Sequence, residues 1–289
     1  MHPAVSTKDP HAVQAEVQAT YARIFPTGDN SFVPRAFGWA KECFTGHYRD
    51  YQAIDARYHD FEHTLQGTLC MSRILLGRHL AGVEPRMTQR MFELGIVAIL
   101  LHDTGYLKKA DDTEGTGAKY TVVHVDRSAD FAGQLLREKG FVPAEIKAVQ
   151  NMIHCTGVDA ALSTIPFQSE LEKIMGFALG AADLVGQMAA VDYVDKLPIL
   201  YSEFAEAASF MRDIKHFVAS FKSATDLMQR TPAFWEKFVV NKLDKDFGGM
   251  HRFLSDPYPS GPNEYVDRIE ANIKRLRKKL TAEALMEPA

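Results

Sequence analysis

The sequence contains few cysteines and no hydrophobic run of membrane-spanning length. Cys43, Cys70 and Cys155 are its three cysteines, and none of them forms a Cys-x-x-Cys pair. This argues against a disulfide scaffold and favours a reducing compartment. No apolar run reaches the roughly 18 residues that a bilayer span needs, and no charged-then-apolar leader opens the chain. We therefore expect a cytoplasmic protein without a membrane partner.

The chain also lacks a strong charge of either sign. It has 33 basic and 37 acidic residues, for a formal net charge of -4. No basic stripe interleaved with aromatic residues suggests a groove for DNA or RNA, so polymeric nucleic acid is not the expected ligand. With 289 residues, of which 46% are hydrophobic, the chain is long enough to bury a sizeable core.

Strict alternation of apolar and polar residues, which is typical of half-buried strands, is absent as well. Apolar residues recur instead at steps of three and four, which predicts an all-α fold. A further amphipathic helix is predicted over Asp9–Ile24 and a polar closing helix over Asn263–Ala284. The main periodic segments are His63–Leu80, Thr88–Leu101, Val122–Leu136, Leu171–Met188 and Val191–Phe204.

No linker rich in Pro, Gly or Ser divides the chain, so we expect residues 1–289 to form a single all-helical domain. The charge run in the closing helix is interpreted as a solvated face. An oligomer contact through Glu264–Leu280, which would make the protein a homo-oligomer, is the alternative. Turns are predicted at Gly82–Pro85, Gly115–Gly117, Gly140–Pro143, Gly157–Pro166 and Thr231–Pro232.

What the sequence does contain is a set of metal-ligating side chains in its first two thirds. They are all imidazoles or carboxylates, and helices could bring them together. The set is His63, His102, Asp103, His124, His154 and Asp183.

The adjacent pair His102-Asp103 is the most informative part of this set. It follows the nearly continuous apolar run Phe92–Leu101. Burying a histidine beside a carboxylate is costly unless something neutralises the charge and uses the lone pairs, and a divalent cation does both. The alternative is a capped helix end with a solvated His-Asp pair.

His59 and His63 are four residues apart, which on a helix would put both on one face. Two such histidines can share a metal, or one can bind it while the other moves protons. Taken alone, this spacing also fits a surface coincidence or a satisfied core pair.

These motifs together resemble the HD-domain metal-dependent phosphohydrolases. The resemblance is carried by Tyr-His-Asp-x-x-His over Tyr58–His63, by His102-Asp103, and by the aspartate of Ala-Ala-Asp-Leu at Asp183. The opening motif is similar to the one in mammalian-type cyclic nucleotide phosphodiesterases. The resemblance covers about residues 58–195, which would form an HD helical bundle, with helical extensions over 1–57 and 196–289.

The resemblance implies a role for each of these residues. His63, His102, Asp103 and Asp183 would hold a first metal ion, and His59 would give a proton to the leaving group. The two further histidines, His124 and His154, match those of the dinuclear branch, in which Asp103 would bridge both ions. One or two divalent ions (Fe, Mn, Zn or Mg) are the expected cofactors.

Three functions remain open at this stage. The favoured one is hydrolysis of a small-molecule phosphate ester, with a nucleotide or cyclic nucleotide among the candidates, by a metal-activated hydroxide. A di-iron oxygenase similar to myo-inositol oxygenase would use the same ligand set, since such sites suit several metals. The third is a regulatory module that binds a nucleotide or a partner without catalysis. The histidine at the donor position, His59, favours hydrolysis.

Several neighbours of the ligands are weaker candidates. Glu62 and Asp126 could accept a ring N–H from a ligand histidine, although exposed helix charges are the commoner explanation for such residues. Gln187, one turn after Asp183, could read a base or sugar edge, and a polar position at a seam between helices is an equally good explanation. A lysine often found directly after the His-Asp-x-Gly element in the resembling family is replaced here by Tyr106. Contact with a phosphate is therefore assigned to nearby cations, namely Lys108, Lys109 and Arg127.

Overall fold

The computed structural model describes residues 4–157, 160–210 and 221–286, and most of these residues are helical, as the sequence predicts. The helices are α1 (Pro10–Ile24), α2 (Phe32–Phe44), α3 (Phe61–Leu80), α4 (Gln89–Leu101), α5 (His124–Glu138), α6 (Pro143–Ile153), α7 (Glu170–Met188), α8 (Tyr193–Phe210), α9 (Ala224–Ala233) and α10 (Glu264–Met286). Within the described ranges there is no β-strand, and the only bridges are Thr45–Ala53 and Tyr51–Lys109.

The seven helical segments predicted from periodicity correspond to α1, α3, α4, α5, α7, α8 and α10. Helix starts agree with the capping residues: Asp60 accepts the backbone N–H of His63 at 2.9 Å, and Ser169 accepts that of Glu172 at 3.1 Å. Helices α2, α6 and α9 were not predicted. The predicted turn Gly157–Pro166 includes residues 158 and 159, which lie outside the described residues.

The turn predicted at Thr231–Pro232 is wrong, because Pro232 lies inside α9. A proline there leaves one carbonyl of the preceding turn without its N–H donor. The helical path continues nevertheless, and Thr231 Oγ1 donates to the Leu227 carbonyl at 2.9 Å. Beyond Pro232 the chain continues in π-helical turns at Phe234–Val239 and Lys242–Asp246. Such wider turns absorb an interrupted hydrogen-bond ladder.

Helix α4 lies at the centre of the fold. Every residue from Phe92 to Leu101 is buried, which explains why this stretch is almost wholly apolar rather than amphipathic. Helices α2, α3, α6 and α7 all pack against it. The end of α4 therefore delivers His102 and Asp103 into the interior of the bundle.

Helices α3 and α7 form the most extensive helix pair, and two glycines allow their backbones to come close. A Cβ at Gly186 would lie 2.8 Å from the Gln66 carbonyl oxygen and 3.0 Å from the Gly67 nitrogen. His63 precedes Gly67 by about one helical turn, and Asp183 precedes Gly186 by about one turn. The glycine contact thus fixes the two side chains next to each other.

No single helix in the described part of the chain is both long and apolar enough to cross a membrane. Helices α7 and α8, which meet at an angle of 111°, pass that test of length and composition only as a bent pair.

The α3–α7 contact predicts opposite effects for two Gly→Ala substitutions. Gly186→Ala forces a methyl group against the backbone of α3, and we expect it to lower the free energy of unfolding by about 1–3 kcal/mol. Gly38→Ala is the matched control, because its methyl group meets nothing within 4 Å in the middle of α2. It should raise stability by up to about 1 kcal/mol. Urea unfolding measures both, and equal effects would contradict this account of the contact.

Candidate metal centre

Three helices bring four side chains of the predicted ligand set into contact. His63 comes from the first turn of α3, Asp183 from the middle of α7, and the His102-Asp103 pair from the end of α4. His63 Nε2 lies 3.2 Å from Asp103 Oδ2 and 3.2 Å from Asp183 Oδ1. His102 Nε2 lies 3.3 Å and 3.5 Å from the same two oxygens. We call these four residues the ligand cluster.

The spacing of these atoms suits a shared metal ion. Ligands held at about 2.1 Å from one ion lie roughly 3.0–3.4 Å apart in octahedral or tetrahedral geometry. Ligand atoms of His63, His102 and Asp103 all lie within 4.8 Å of one another. All four residues are buried, and Asp183 has the most exposed side chain of the four, at 12%.

Two buried atoms of the cluster have no hydrogen-bond partner within the described structure. They are His102 Nε2 and Asp103 Oδ2. His102 Nδ1 lies 2.6 Å from the Ile99 carbonyl oxygen and donates to it, so Nε2 is the nitrogen that faces the cluster. Unsatisfied buried polar atoms are costly. A cation between them would satisfy both, and the residues present therefore fit a metal ion.

The charges of the cluster depend strongly on one another. Burial raises the pKa of Asp103 and Asp183, but the His102 and His63 rings lower it well below the ordinary value. Burial lowers the pKa of His63, but the two carboxylates raise it to about 10. Both aspartates are thus ionised at neutral pH, and without a cation the proton on His63 balances part of their charge.

His124 approaches the cluster from the other side of Asp103. Its Nε2 lies 3.9 Å from Asp103 Oδ1, and its Nδ1 is 2.5 Å from the Thr121 carbonyl. Burial keeps its pKa below the ordinary value, so the ring is neutral and its Nε2 is free to bind a metal. The approach depends on Gly105, where a Cβ would lie 2.0 Å from the His124 carbonyl oxygen.

The sixth predicted ligand, His154, lines the same cavity as the cluster but contacts Asp126 rather than one of the four cluster residues. His154 follows α6, and its Nε2 lies 3.2 Å from Asp126 Oδ1. Asp126 is an exposed charge on α5, the explanation that the sequence favours, and it does not orient a ligand histidine through the nitrogen remote from a metal. It instead contacts the nitrogen that a metal would need, because Nδ1 is already 2.7 Å from the Gln150 carbonyl. The second metal position is therefore less complete than the first.

The prediction that His59 and His63 share a helix face is wrong, because α3 begins at Phe61 and Asp60 is its extended N-cap. The two rings still lie close together, with centroids 5.3 Å apart. His59 is held by a residue that the sequence did not reveal: Glu203 on α8, whose Oε2 is 2.6 Å from His59 Nδ1. A separation of 144 residues leaves no local signal for this pair.

Glu203 is well suited to orient His59. It is buried and also accepts the backbone N–H of Tyr58 at 2.7 Å. Although burial raises the pKa of Glu203, the His59 ring and the backbone N–H groups of Tyr58 and Arg57 lower it below its ordinary value. The ionised carboxylate fixes the proton of His59 on Nδ1, so that Nε2 is the nitrogen left for chemistry.

Tyr106, which occupies the expected lysine position, lies between two of the site histidines. Its ring stacks on His59 at 4.5 Å and on His124 at 4.7 Å. Both contacts are nearly parallel, with interplanar angles of 12° and 24°. Tyr106 is fully buried, so it holds these rings in place rather than offering a charge to phosphate.

Gln187 is engaged with the cluster itself. Its Nε2 donates to the Asp183 carbonyl at 3.1 Å and to Asp183 Oδ1 at 3.3 Å, and its Oε1 accepts from Tyr58 Oη at 2.8 Å. Gln187 therefore orients Asp183. Its amide nitrogen already donates to Asp183 and is not available to the edge of a base.

The other predicted accessory residues point away from the cluster. Glu62 contacts Lys196 Nζ at 3.1 Å and Thr7 Oγ1 at 3.3 Å. Lys108 pairs with Asp55 at 2.9 Å, and Lys109 lies 3.3 Å from Asp50.

Arg127 donates to the carbonyls of Gly105 and Leu107 at 2.8 Å and 2.9 Å. None of the three cations assigned to phosphate, Lys108, Lys109 and Arg127, is among the described residues that line the cavity beside the cluster. Each of them instead contacts an acceptor elsewhere in the protein.

That cavity has a volume of about 900 Å³, which is the size of a small-molecule site. His63, Asp103 and Asp183 form part of its wall, together with His59 and His124. The remainder of the wall comes largely from α7, α8 and α9 and the segment after α6. The cluster is thus buried in the protein yet open to a ligand.

The cluster predicts the metal content of one variant. Asp103→Asn removes the charge that faces His63, His102 and His124, and we expect the protein to lose its bound divalent metal, with affinity reduced at least about 100-fold. Asp130→Asn is the matched control, because Asp130 is exposed on α5. Elemental analysis after dialysis measures the metal. A variant at position 103 that keeps the metal content of the wild type would overturn the ligand assignment.

The comparisons with known proteins add little about activity. A family model described as Npun_R2479-like matches residues 110–252, which is just under half of the chain. The matched segment contains His124, His154 and Asp183 but not His63 or the His102-Asp103 pair. A search of curated proteins finds no match.

Proposed function

We propose that this protein is an HD-type metal-dependent phosphohydrolase that cleaves a small phosphate ester. The proposal is supported most directly by one arrangement. A buried cluster suited to a divalent metal shares a cavity with His59, which a buried carboxylate orients as a proton donor.

The ligand cluster would hold the first ion through His63, His102, Asp103 and Asp183, and His124 faces the other oxygen of Asp103. Bound divalent ions would supply a nucleophile from water at neutral pH and neutralise charge on the phosphoryl group. The protein's own contribution is to keep the carboxylates ionised and the ligand groups aligned. Gln187 and the carbonyls of Ile99 and Thr121 provide that alignment.

His59 performs the step that remains. Breaking the P–O bond of an ester leaves an alkoxide, which departs far more easily as an alcohol. Glu203 accepts the Nδ1–H of His59 and fixes the orientation of the ring, so that Nε2 is the nitrogen that would pass a proton to the leaving oxygen. Stacking against Tyr106 fixes the plane of the ring. A dioxygen-activating centre would not need this oriented donor, and it is this observation that favours hydrolysis.

A phosphate-release screen tests the reaction class. Protein reconstituted with Mn²⁺, Fe²⁺ or Zn²⁺ is assayed for phosphate release from nitrophenyl phosphate, phenyl and alkyl phosphates and nucleotides, and for formation of the nucleoside monophosphate from cyclic nucleotides, with Asp103→Asn as the blank. We expect phosphate release that the blank lacks. If metal-loaded protein is silent on all of these substrates, the phosphohydrolase proposal fails, and oxygen consumption by the Fe²⁺ form becomes the next measurement.

The donor role of His59 predicts a dependence on the leaving group. His59→Ala should keep its metal yet lose roughly 10²–10⁴-fold in kcat on alkyl phosphates. The loss should be far smaller on nitrophenyl phosphate, whose leaving group needs no proton. Glu203→Gln should show the same pattern to a lesser degree, because an amide oxygen still accepts the Nδ1–H. Glu206→Gln serves as the control, because Glu206 lies on the same helix but contacts Thr116 rather than His59. Equal losses on both substrates would contradict the donor role.

A further inference from the structure

The cavity beside the cluster differs sharply from one end to the other. One end carries the histidines and carboxylates already described. The wall formed by α7, α8 and α9 is mostly apolar, and it is lined by Leu184, Met188, Leu197, Leu200, Phe204 and Leu227. An apolar wall of this extent can take up a hydrocarbon body of several carbons.

Among the described residues of the cavity wall, most polar side chains outside the cluster already use their donors inside the protein, and the hydroxyls of Tyr106 and Tyr193 are the exceptions. The hydroxyls of four threonines donate to backbone carbonyls three or four residues earlier; they belong to Thr121, Thr156, Thr164 and Thr231. The amide of Asn151 donates to Glu172 and to the Pro166 carbonyl. Together with the engaged Gln187, this leaves few donors for the edge of a nucleobase.

Cations are equally scarce on this wall. Among the described lining residues only Lys147 and Arg230 carry a positive charge. Arg230 is paired with Asp226 at 2.8 Å. Lys147 is exposed on α6. A diphosphate or triphosphate would bring two or more anionic groups, and the ion site can neutralise only one of them fully.

From these observations we infer that the substrate is a phosphate monoester of an apolar alcohol, and that nucleotides are poor ligands. The inference rests on the proposed function for the phosphate end of the ligand. The apolar character of the alcohol is inferred from the cavity wall. The hydrocarbon body would lie along α7, α8 and α9, with its ester oxygen near His59.

Binding of alkylphosphonates to the Mn²⁺-loaded full-length protein tests the inference without requiring turnover, since their C–P bond is not hydrolysed here. Calorimetry is performed on the ethyl, butyl, hexyl and octyl compounds and on AMP. We expect Kd to fall about fourfold for each added methylene until the wall is covered. AMP should bind more weakly than hexylphosphonate.

A pair of leucine variants locates the effect. Leu200→Asn places an amide on the cavity wall and should flatten the dependence of Kd on chain length. Leu80→Asn is the matched control, because Leu80 is exposed at the end of α3 and does not line the cavity. If Leu200→Asn does not fold, as judged by circular dichroism, the wild-type series alone decides the question.

The possible outcomes separate this inference from the proposed function. A Kd independent of chain length, or AMP binding more tightly than every alkylphosphonate, overturns the inference even when nitrophenyl phosphate is hydrolysed. A steep dependence on chain length upholds the apolar cavity, and it does so even when no phosphate is released from octyl phosphate. In that second case hydrolysis is the part of the account that fails.

Discussion

The close approach of α3 and α7 is the constraint on which the site depends. Gly186 lets the α7 backbone lie against Gln66 and Gly67, and one turn earlier on each helix this brings His63 and Asp183 to 3.2 Å. The buried end of α4 then inserts His102 and Asp103 between them. A looser α3–α7 contact would move His63 and Asp183 too far apart for a single ion to contact both. The geometry of the site therefore depends on the packing of these two helices.

Charge explains why such a site is stable enough to exist. Two ionised aspartates within the bundle would be very costly if they were isolated. The three neighbouring histidines offset this cost, since His63 carries a proton when no cation is bound. The same arrangement leaves His102 Nε2 and Asp103 Oδ2 without partners. A divalent cation placed between these two atoms would satisfy both of them.

The sequence predicted the all-α class and most of the long helices, because those helices carry strong apolar periodicity. It also identified four side chains that meet, since a His-Asp pair after a buried run has few alternatives. It missed Glu203, which lies 144 residues after His59 and contacts it. It also placed His59 on the same helix as His63, whereas α3 begins at Phe61, after the N-cap Asp60. Lys108, Lys109 and Arg127 were assigned to phosphate, but each contacts an acceptor within the protein: Asp55, Asp50, and the carbonyls of Gly105 and Leu107. Residue spacing along the sequence does not predict these contacts, because they form only when the loops fold. Local patterns therefore identified side chains that come together, but they carried no signal for partners that arrive through tertiary packing.

Whether a metal ion binds among these four residues is the central question, and anomalous diffraction from crystals grown with Mn²⁺ or Zn²⁺ answers it most directly. The account predicts an anomalous peak about 2.0–2.3 Å from His63 Nε2, His102 Nε2, Asp103 Oδ2 and Asp183 Oδ1. A second, weaker peak is expected between Asp103 Oδ1 and His124. Strong peaks at exposed histidines with none inside the cluster would contradict the account.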